Sequence, residues 1–234
     1  MTEQASRADG RPLQPAGGKP YKGMAMEGLI ARWYARNTST DMRGFHANAD
    51  TVAAALRPGA RVLEVAPGPG YLAIEIARRG DFRVSGLDIS HSFVHIARGN
   101  ARSAGFDIDF RQGNASAMPY ADGSFEAVVC RSAFKNFTDP LGALDEMHRV
   151  LSAGGRAWIY DLRTDASRAE IAAEVRAMSL SRVNAWLTNW IFRTMLLRNA
   201  CSREAIEDLV GRSRFRRGEL RADGIGFELL LTRL

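Results

Sequence analysis

Apolar residues recur along this chain in two rhythms. Short dense runs, Val62-Leu63-Glu64-Val65, Val84 to Leu87, Ile108 to Ala115 with a polar exit, Phe125 to Arg131 and Ala157 to Leu162, read as buried strands. Between them apolar positions fall at helical spacing. This predicts helices over about Met24–Arg36, Phe45–Leu56, Leu72–Arg79, His91–Ala104, Leu141–Leu151 and Arg203–Val210, and a long helical region over about Ser167–Arg198. Ser90, Asp139-Pro140 and Ser202 sit where caps belong; Gly80 and Gly105 sit where helices stop. Ser152-Ala-Gly-Gly155 reads as a turn. Phe215–Ala222 and Gly226–Arg233 read as a hairpin around Asp223-Gly224.

Strands alternating with helices argue a parallel sheet, and a closing hairpin forces one strand to run the other way. The expected fold is α/β: a Rossmann-like, mostly parallel seven-stranded sheet with one antiparallel strand, helices on both faces and an N-terminal helical cover. Residues 1–23, rich in Pro and Gly, read as a disordered tail. Residues 24–234 read as a single domain, with 24–57 as its helical cap. A chain of 234 residues, 46% hydrophobic and 25% charged, supports one sizeable core. No apolar run reaches the roughly 18 residues of a membrane span, and no apolar leader opens the chain. With only Cys130 and Cys201, a disulfide framework is not expected, and a cytoplasmic location fits.

The net charge of +6 comes almost wholly from arginine; the lysines are Lys19, Lys22 and Lys135. Arg212, Arg214, Arg216 and Arg217 form the densest basic stretch. It reads as a solvated face, with attraction to a polyanion such as RNA as the other reading.

The chemistry gathers at the strand ends. Ala66-Pro67-Gly68-Pro69-Gly70 breaks both rhythms between the first strand and its helix, which marks the opening of a nucleotide-binding βα unit. The glycines let backbone approach a ligand, and the helix start presents free N–H groups. Asp88 ends the second strand 18 positions after Gly70, near the spacing of about 20 expected for a carboxylate on a ribose diol. Glu64 would repel a pyrophosphate and attract an ammonium group. Asn114-Ala115 offers polar contacts for an adenine edge. An adenosine with a cationic amino-acid end fits these positions, and S-adenosylmethionine is such a ligand.

Val62-Leu-Glu-Val-Ala-Pro-Gly-Pro-Gly70, Gly86-Leu-Asp-Ile-Ser90, Gly113-Asn-Ala115 with Met118-Pro119, and Glu146-Met-His-Arg-Val-Leu-Ser-Ala-Gly-Gly155 occur in this order. Together they resemble the class I S-adenosylmethionine-dependent methyltransferases, in the small-molecule branch that includes quinone-biosynthesis enzymes. The resemblance covers roughly residues 50 to 234. It implies a cofactor site of Glu64, Ala66, Pro67, Gly68, Gly70, Tyr71, Asp88, Ile89, Asn114, Ala115 and Arg131, with S-adenosylhomocysteine as product. The chain departs from the family pattern at Ala66, where a glycine is common, and at Asn114, where an aspartate is common. An alanine there adds only a methyl.

Methyl transfer from a sulfonium is a direct displacement, so alignment can carry the reaction, and neither a catalytic residue nor a metal is assigned. Tyr34, Phe134 and Asp161 are the chosen acceptor contacts, from a wider set with Trp33, His46, Asn136, Phe137 and Tyr160. The expected partner is a small-molecule methyl acceptor, aromatic or heterocyclic; nucleic acid is not expected, and a homodimer is compatible. An RNA methyltransferase and a methyltransferase-fold protein that binds without catalysis are the alternatives.

Overall fold

The computed structural model describes residues 22, 27–38, 42–177 and 200–234. One sheet carries all seven strands: β1 (Arg61–Val65), β2 (Arg83–Asp88), β3 (Asp109–Gln112), β4 (Phe125–Arg131), β5 (Leu151–Leu162), β6 (Glu219–Asp223) and β7 (Gly226–Thr232). Their order is β3-β2-β1-β4-β5-β7-β6. Strands β1 to β5 pair in parallel, and β7 is antiparallel to both of its neighbours, β5 and β6. The expected mostly parallel sheet with one antiparallel strand is therefore the observed one.

Among the described residues the α-helices are α1 (Gly28–Thr38), α2 (Arg43–Ala54), α3 (Tyr71–Arg78), α4 (His91–Ser103), α5 (Pro140–Val150), α6 (Arg168–Ala177) and α7 (Arg203–Arg212), with a single 3-10 turn at Phe134–Asn136. Strand alternation sends side chains to two cores. Val62, Val84, Ala127, Val129 and Trp158 meet α2, α3 and α4 on one face. Leu63, Val65, Val128, Cys130 and Ile159 meet α5 and α7 on the other. The caps act as expected: Ser90 Oγ accepts from Phe93 N, Asp139 from Gly142 N and Ser202 from Ala205 N. Pro140 needs no amide partner in the first turn of α5.

Three expectations change, one being the first strand of the closing hairpin, which starts at Glu219 rather than Phe215. Ser152–Gly155 is not a turn before β5 but part of it. Leu151 already pairs with Phe125, and the ladder then jumps to Ala127 and Arg156, so Glu126 alone faces four residues. Gly154, at φ +75°, lets that strand bulge. Helix α1 starts at Gly28 rather than near Met24. Met178, Leu180, Trp186, Trp190, Phe192 and Met195 of the long helical region, and the tail apart from Lys22, lie outside the described residues.

After β3 the chain returns to the far side of β1 and lays down β4. The carboxyl ends of β1 and β4 therefore border the switch point where such sheets bind ligands.

Candidate functional site

Glu64, Asp88, Arg131 and Tyr160 all belong to strand positions on the face covered by α2, α3 and α4. They alternate with Leu63, Leu87, Cys130 and Ile159 of the opposite core. Arg131 and Tyr160 are direct partners across β4 and β5, and Glu64 is in register with Gly86 and Val129. The carboxyl edge thus gathers two acids, one guanidinium and one phenol.

The turn between β1 and α3 coils through left-handed backbone at Ala66 (φ +55°), Gly68 (φ +54°) and Gly70 (φ +81°). Ala66 thus adds more than a methyl: its Cβ sits where L-residues are strained by roughly 1–2 kcal/mol. A side chain on Gly70 would strike Phe110 at 2.9 Å and Ala97 at 3.0 Å. One on Gly86 would strike Phe110 too. Phe110, buried on β3, is the floor on which the turn rests. Pro67, beside Gly86, is buried, and the Pro69 carbonyl accepts from Asn100 Nδ2 at 2.9 Å.

Asp88 is 5% exposed. Its Oδ2 accepts from Gly68 N at 2.9 Å and its Oδ1 from Ser90 N at 2.8 Å. These use two of the roughly four acceptor positions of a carboxylate, so capacity for a diol remains. Burial pushes the Asp88 carboxyl up to about 6, against the pull of the Ser90 and Gly68 amides; the Glu27 carboxylate nearby raises it further. Glu64 is buried on β1, and its Oε2 accepts from Ala73 N at 2.8 Å. One of the N–H groups expected to be free at the start of α3 is therefore taken. Burial pushes Glu64 up to about 8; the Ala73 amide and Arg131 draw it down, and Asp88 raises it.

Arg131 is fixed by α2, where its Nε donates to Asn48 Oδ1 at 2.8 Å and its guanidinium lies 4.3 Å from the Phe45 ring centroid. Gly44 leaves room for it. Tyr71 stacks edge-on with Phe45 and donates its hydroxyl to Ala35 O at 2.9 Å, tying α1 over the turn. Glu27 accepts from His91 N and Ser92 N at the start of α4, and Lys22 N donates to Asn136 O. The N-terminal cover is thus pinned beside both β2 and β4. Ile89 is half-buried, and its carbonyl accepts from Gln112 Nε2. Asn114 turns its Oδ1 back onto Ser116 N and Oγ, and half-buried Ala115 packs on the core.

The chosen acceptor contacts fare differently. Phe134 is 2% exposed and stacks edge-on with Phe137 inside the core, which leaves it no surface for an acceptor. Asp161 binds Lys135 instead: Oδ1 meets Nζ at 2.7 Å and Oδ2 accepts the Lys135 amide at 2.9 Å. Tyr34 lies on α1, and its side chain is outside the described residues. His46 faces Glu75 on α3 at 3.4 Å, in a network with Arg78 and Arg79 away from the strand ends. Trp33 is 68% exposed. The Tyr160 hydroxyl is buried and interacts with the Asn48 side chain, without a hydrogen bond of good geometry.

Sequence reasoning passed over Glu27, Asn48, Phe110 and Lys135. Lys135 carried a signal, as one of three lysines in an arginine-rich chain; the others bear none that spacing could reveal.

Residues 63–159 match the family model described as a methyltransferase domain. The chain is 36% identical over 168 residues to the demethylmenaquinone methyltransferase of Deinococcus radiodurans, which covers 68% of each chain. It is 36% identical over 106 to 110 residues to proteins named ubiquinone/menaquinone biosynthesis C-methyltransferase UbiE, including that of Geotalea uraniireducens, where 47% of the relative is spanned. Among solved structures, a SAM-dependent methyltransferase from Aquifex aeolicus superposes with a TM-score of 0.67 at 14% identity, covering 86% of this chain and 98% of that one. At that identity the likeness concerns the fold. Among the described residues no helix is long and apolar enough to cross a membrane.

Proposed function

Because the chain belongs to the S-adenosylmethionine-dependent methyltransferase family, we propose that it methylates a ring carbon of a small quinone-type acceptor. The observation that carries this is the 36% identity to a demethylmenaquinone methyltransferase over 68% of both chains. S-adenosylmethionine is the cofactor, and when bound it supplies a methyl group on a positively charged sulfur that leaves as a neutral thioether.

The residues present suit that cofactor. A buried carboxyl pushed up to about 8 gains most from a cation beside it, so Glu64 would hold the amino group of the methionine part. Asp88, with acceptor positions to spare, would hold the ribose hydroxyls. Gly68 and Gly70 would let backbone border the methionine part, with Ala66, Pro67 and Tyr71 shaping the turn. Ile89, Asn114 and Ala115 would border the adenine. Arg131, fixed by Asn48 and Phe45, would face the methionine end with its backbone, while its charge eases ionisation of Glu64.

Alignment does the main work, at a value of roughly 7–11 kcal/mol for well-oriented reactants. The N-terminal cover, pinned by Glu27 and Tyr71, would keep water from the reacting atoms. No general base is assigned. Phe134 is packed against Phe137 and Asp161 is paired with Lys135, so neither is placed toward the acceptor. The RNA reading draws nothing from these relatives, which are named for quinones, and Arg212 of the basic stretch is engaged by Asp208.

The test is turnover. The protein is incubated with methyl-labelled S-adenosylmethionine and a reduced, ring-demethylated quinone, and products are read by mass spectrometry. A carbon-bound label on the quinone supports the proposal. Binding of the cofactor without transfer to any quinone-type acceptor, or transfer to an O or N atom, overturns it.

A further inference from the structure

The opposite edge of the sheet carries a second feature that methyl transfer does not use. The amino ends of β1, β2, β4 and β5 border an open cavity of about 770 Å³. Four arginines line it, Arg57, Arg61, Arg83 and Arg156, against one carboxylate, Glu126. Glu126 is already taken: Arg61 Nη2 meets its Oε1 at 2.6 Å, and Arg61 N and Nε both donate to its Oε2. Arg57, Arg83 and Arg156 are exposed and have no ion pair or side-chain hydrogen bond among the described residues. Three arginines therefore border one open cavity with no paired counter-charge among the described residues.

The sheet spaces these charges. Arg83 pairs with Arg61 across β2 and β1, Val62 pairs with Ala127 of β4, and Ala127 pairs with Arg156 of β5. With strands about 4.8 Å apart, the α-carbons of Arg83 and Arg156 lie roughly 14 Å from one another, and alternation sends Arg83 to the face of Leu87 and Arg156 to the face of Trp158, so the cavity wraps the amino edge of the sheet. Arg57 enters from the turn before β1. Such spacing suits a ligand with several anionic groups rather than a single small ion. Leu56, Pro58 and an edge of Trp158 add an apolar wall, and Gly59 and Gly154 leave backbone open, with nothing within 4 Å of where a side chain would start. The end of α2 at Ala55 brings carbonyls of partial negative charge, about half an elementary charge. Three whole positive charges outweigh it. The volume lies within the roughly 300–1,000 Å³ of small-molecule sites, which favours a small ligand over a nucleic-acid strand.

We infer that this cavity binds a small anion carrying two or more linked phosphate groups. Guanidinium groups match phosphate oxygens in a planar, two-bond geometry, which makes arginine the suited residue for that class.

Isothermal titration of the full chain with pyrophosphate and with ATP, at physiological salt, tests it. Binding is expected for at least one of them, weakened by about tenfold or more in the double substitution R83E/R156E. Binding of S-adenosylmethionine should be unchanged in that variant, which shows that it folds. R216E/R217E, equal in charge change but outside the cavity, should leave phosphate binding within about twofold. No heat with either phosphate compound, or equal loss in the two double variants, overturns the inference. So does tighter binding of an RNA oligonucleotide that depends as much on Arg216 and Arg217 as on Arg83 and Arg156.

Discussion

Glu64 and Ala73 are joined across the glycine turn, with the buried Glu64 carboxylate accepting the Ala73 amide at 2.8 Å. The contact locks the end of β1 to the first turn of α3. It does not offset the burial of the carboxyl, which still sits at about 8. A proton therefore occupies Glu64 for much of the time near neutral pH. A cation arriving beside it should expel that proton. Titrations of S-adenosylmethionine near pH 7, in buffers of different ionisation enthalpy, should show proton release in the wild type and none in Glu64→Gln. Equal proton release in both would rule this out.

The same carboxyl sets a stability slope. Its folded value lies above the ordinary 4.5, so the unfolded chain ionises first as pH rises. The stabilising contribution is complete below about 4.5 and is lost as pH climbs through about 8. Asp88 adds a smaller loss of the same sign between 3.8 and about 6. The melting temperature of the ligand-free wild type should fall over this range, and that of Glu64→Gln should fall distinctly less. Parallel curves would contradict the assignment.

Asp88 anchors the turn through Gly68 and the start of α4 through Ser90. Asp88→Ala should weaken S-adenosylmethionine binding by about tenfold or more and cost roughly 1–3 kcal/mol of stability, because two amides lose their acceptor. Asp88→Asn keeps one oxygen and should lose less of both. Calorimetric binding and chemical denaturation measure the two effects separately.

Asp161 and Lys135 form an ion pair with side chains 0% and 10% exposed. Removing one partner strands a charge, at a cost of about 3–5 kcal/mol. Asp161→Ala should be destabilised by that order, while a paired replacement with Leu at 161 and Met at 135 should recover part of it. Denaturant midpoints for Asp161→Ala, Lys135→Met and the double replacement settle the sign; a harmless single substitution would show that water reaches the pair.

The turn offers a contrast between two neighbours. Gly70→Ala, at φ +81° against Phe110 and Ala97, should destabilise the fold and impair cofactor binding. Ala66→Gly, at φ +55°, should stabilise by about 0.5–1 kcal/mol net, the relief of strain exceeding the extra chain entropy. Thermal melts of both variants give the comparison.

The strands and most helices were legible because burial imposes periodicity, and Ser90, Asp139 and Ser202 marked their starts with local chemistry. The grouping of Glu64, Asp88 and Arg131 was legible for the same reason, since each closes or nearly closes a strand. What sequence did not yield depends on backbone angles or on distant partners. The strain at Ala66 is a matter of φ, which composition does not record. Asp161 read as an acceptor contact because it closes a strand on the ligand side, and its partner Lys135 stands 26 positions away. Phe134 looked like an acceptor contact because a loop position after a strand carries no sign of whether its ring turns inward. Ser152–Gly155 has the composition of a turn, yet β7 pairs with the strand beyond it and Leu151 pairs before it.

The seat of β7 between β5 and β6 has a consequence for synthesis. β5 ends at Leu162, and the strand that seals its free edge begins at Gly226. At about 5–20 residues per second, the ribosome needs roughly 3–13 seconds to make what lies between. Until β7 arrives, the backbone edge of β5 along Trp158, Ile159 and Tyr160 lacks the partner that it has in the folded sheet.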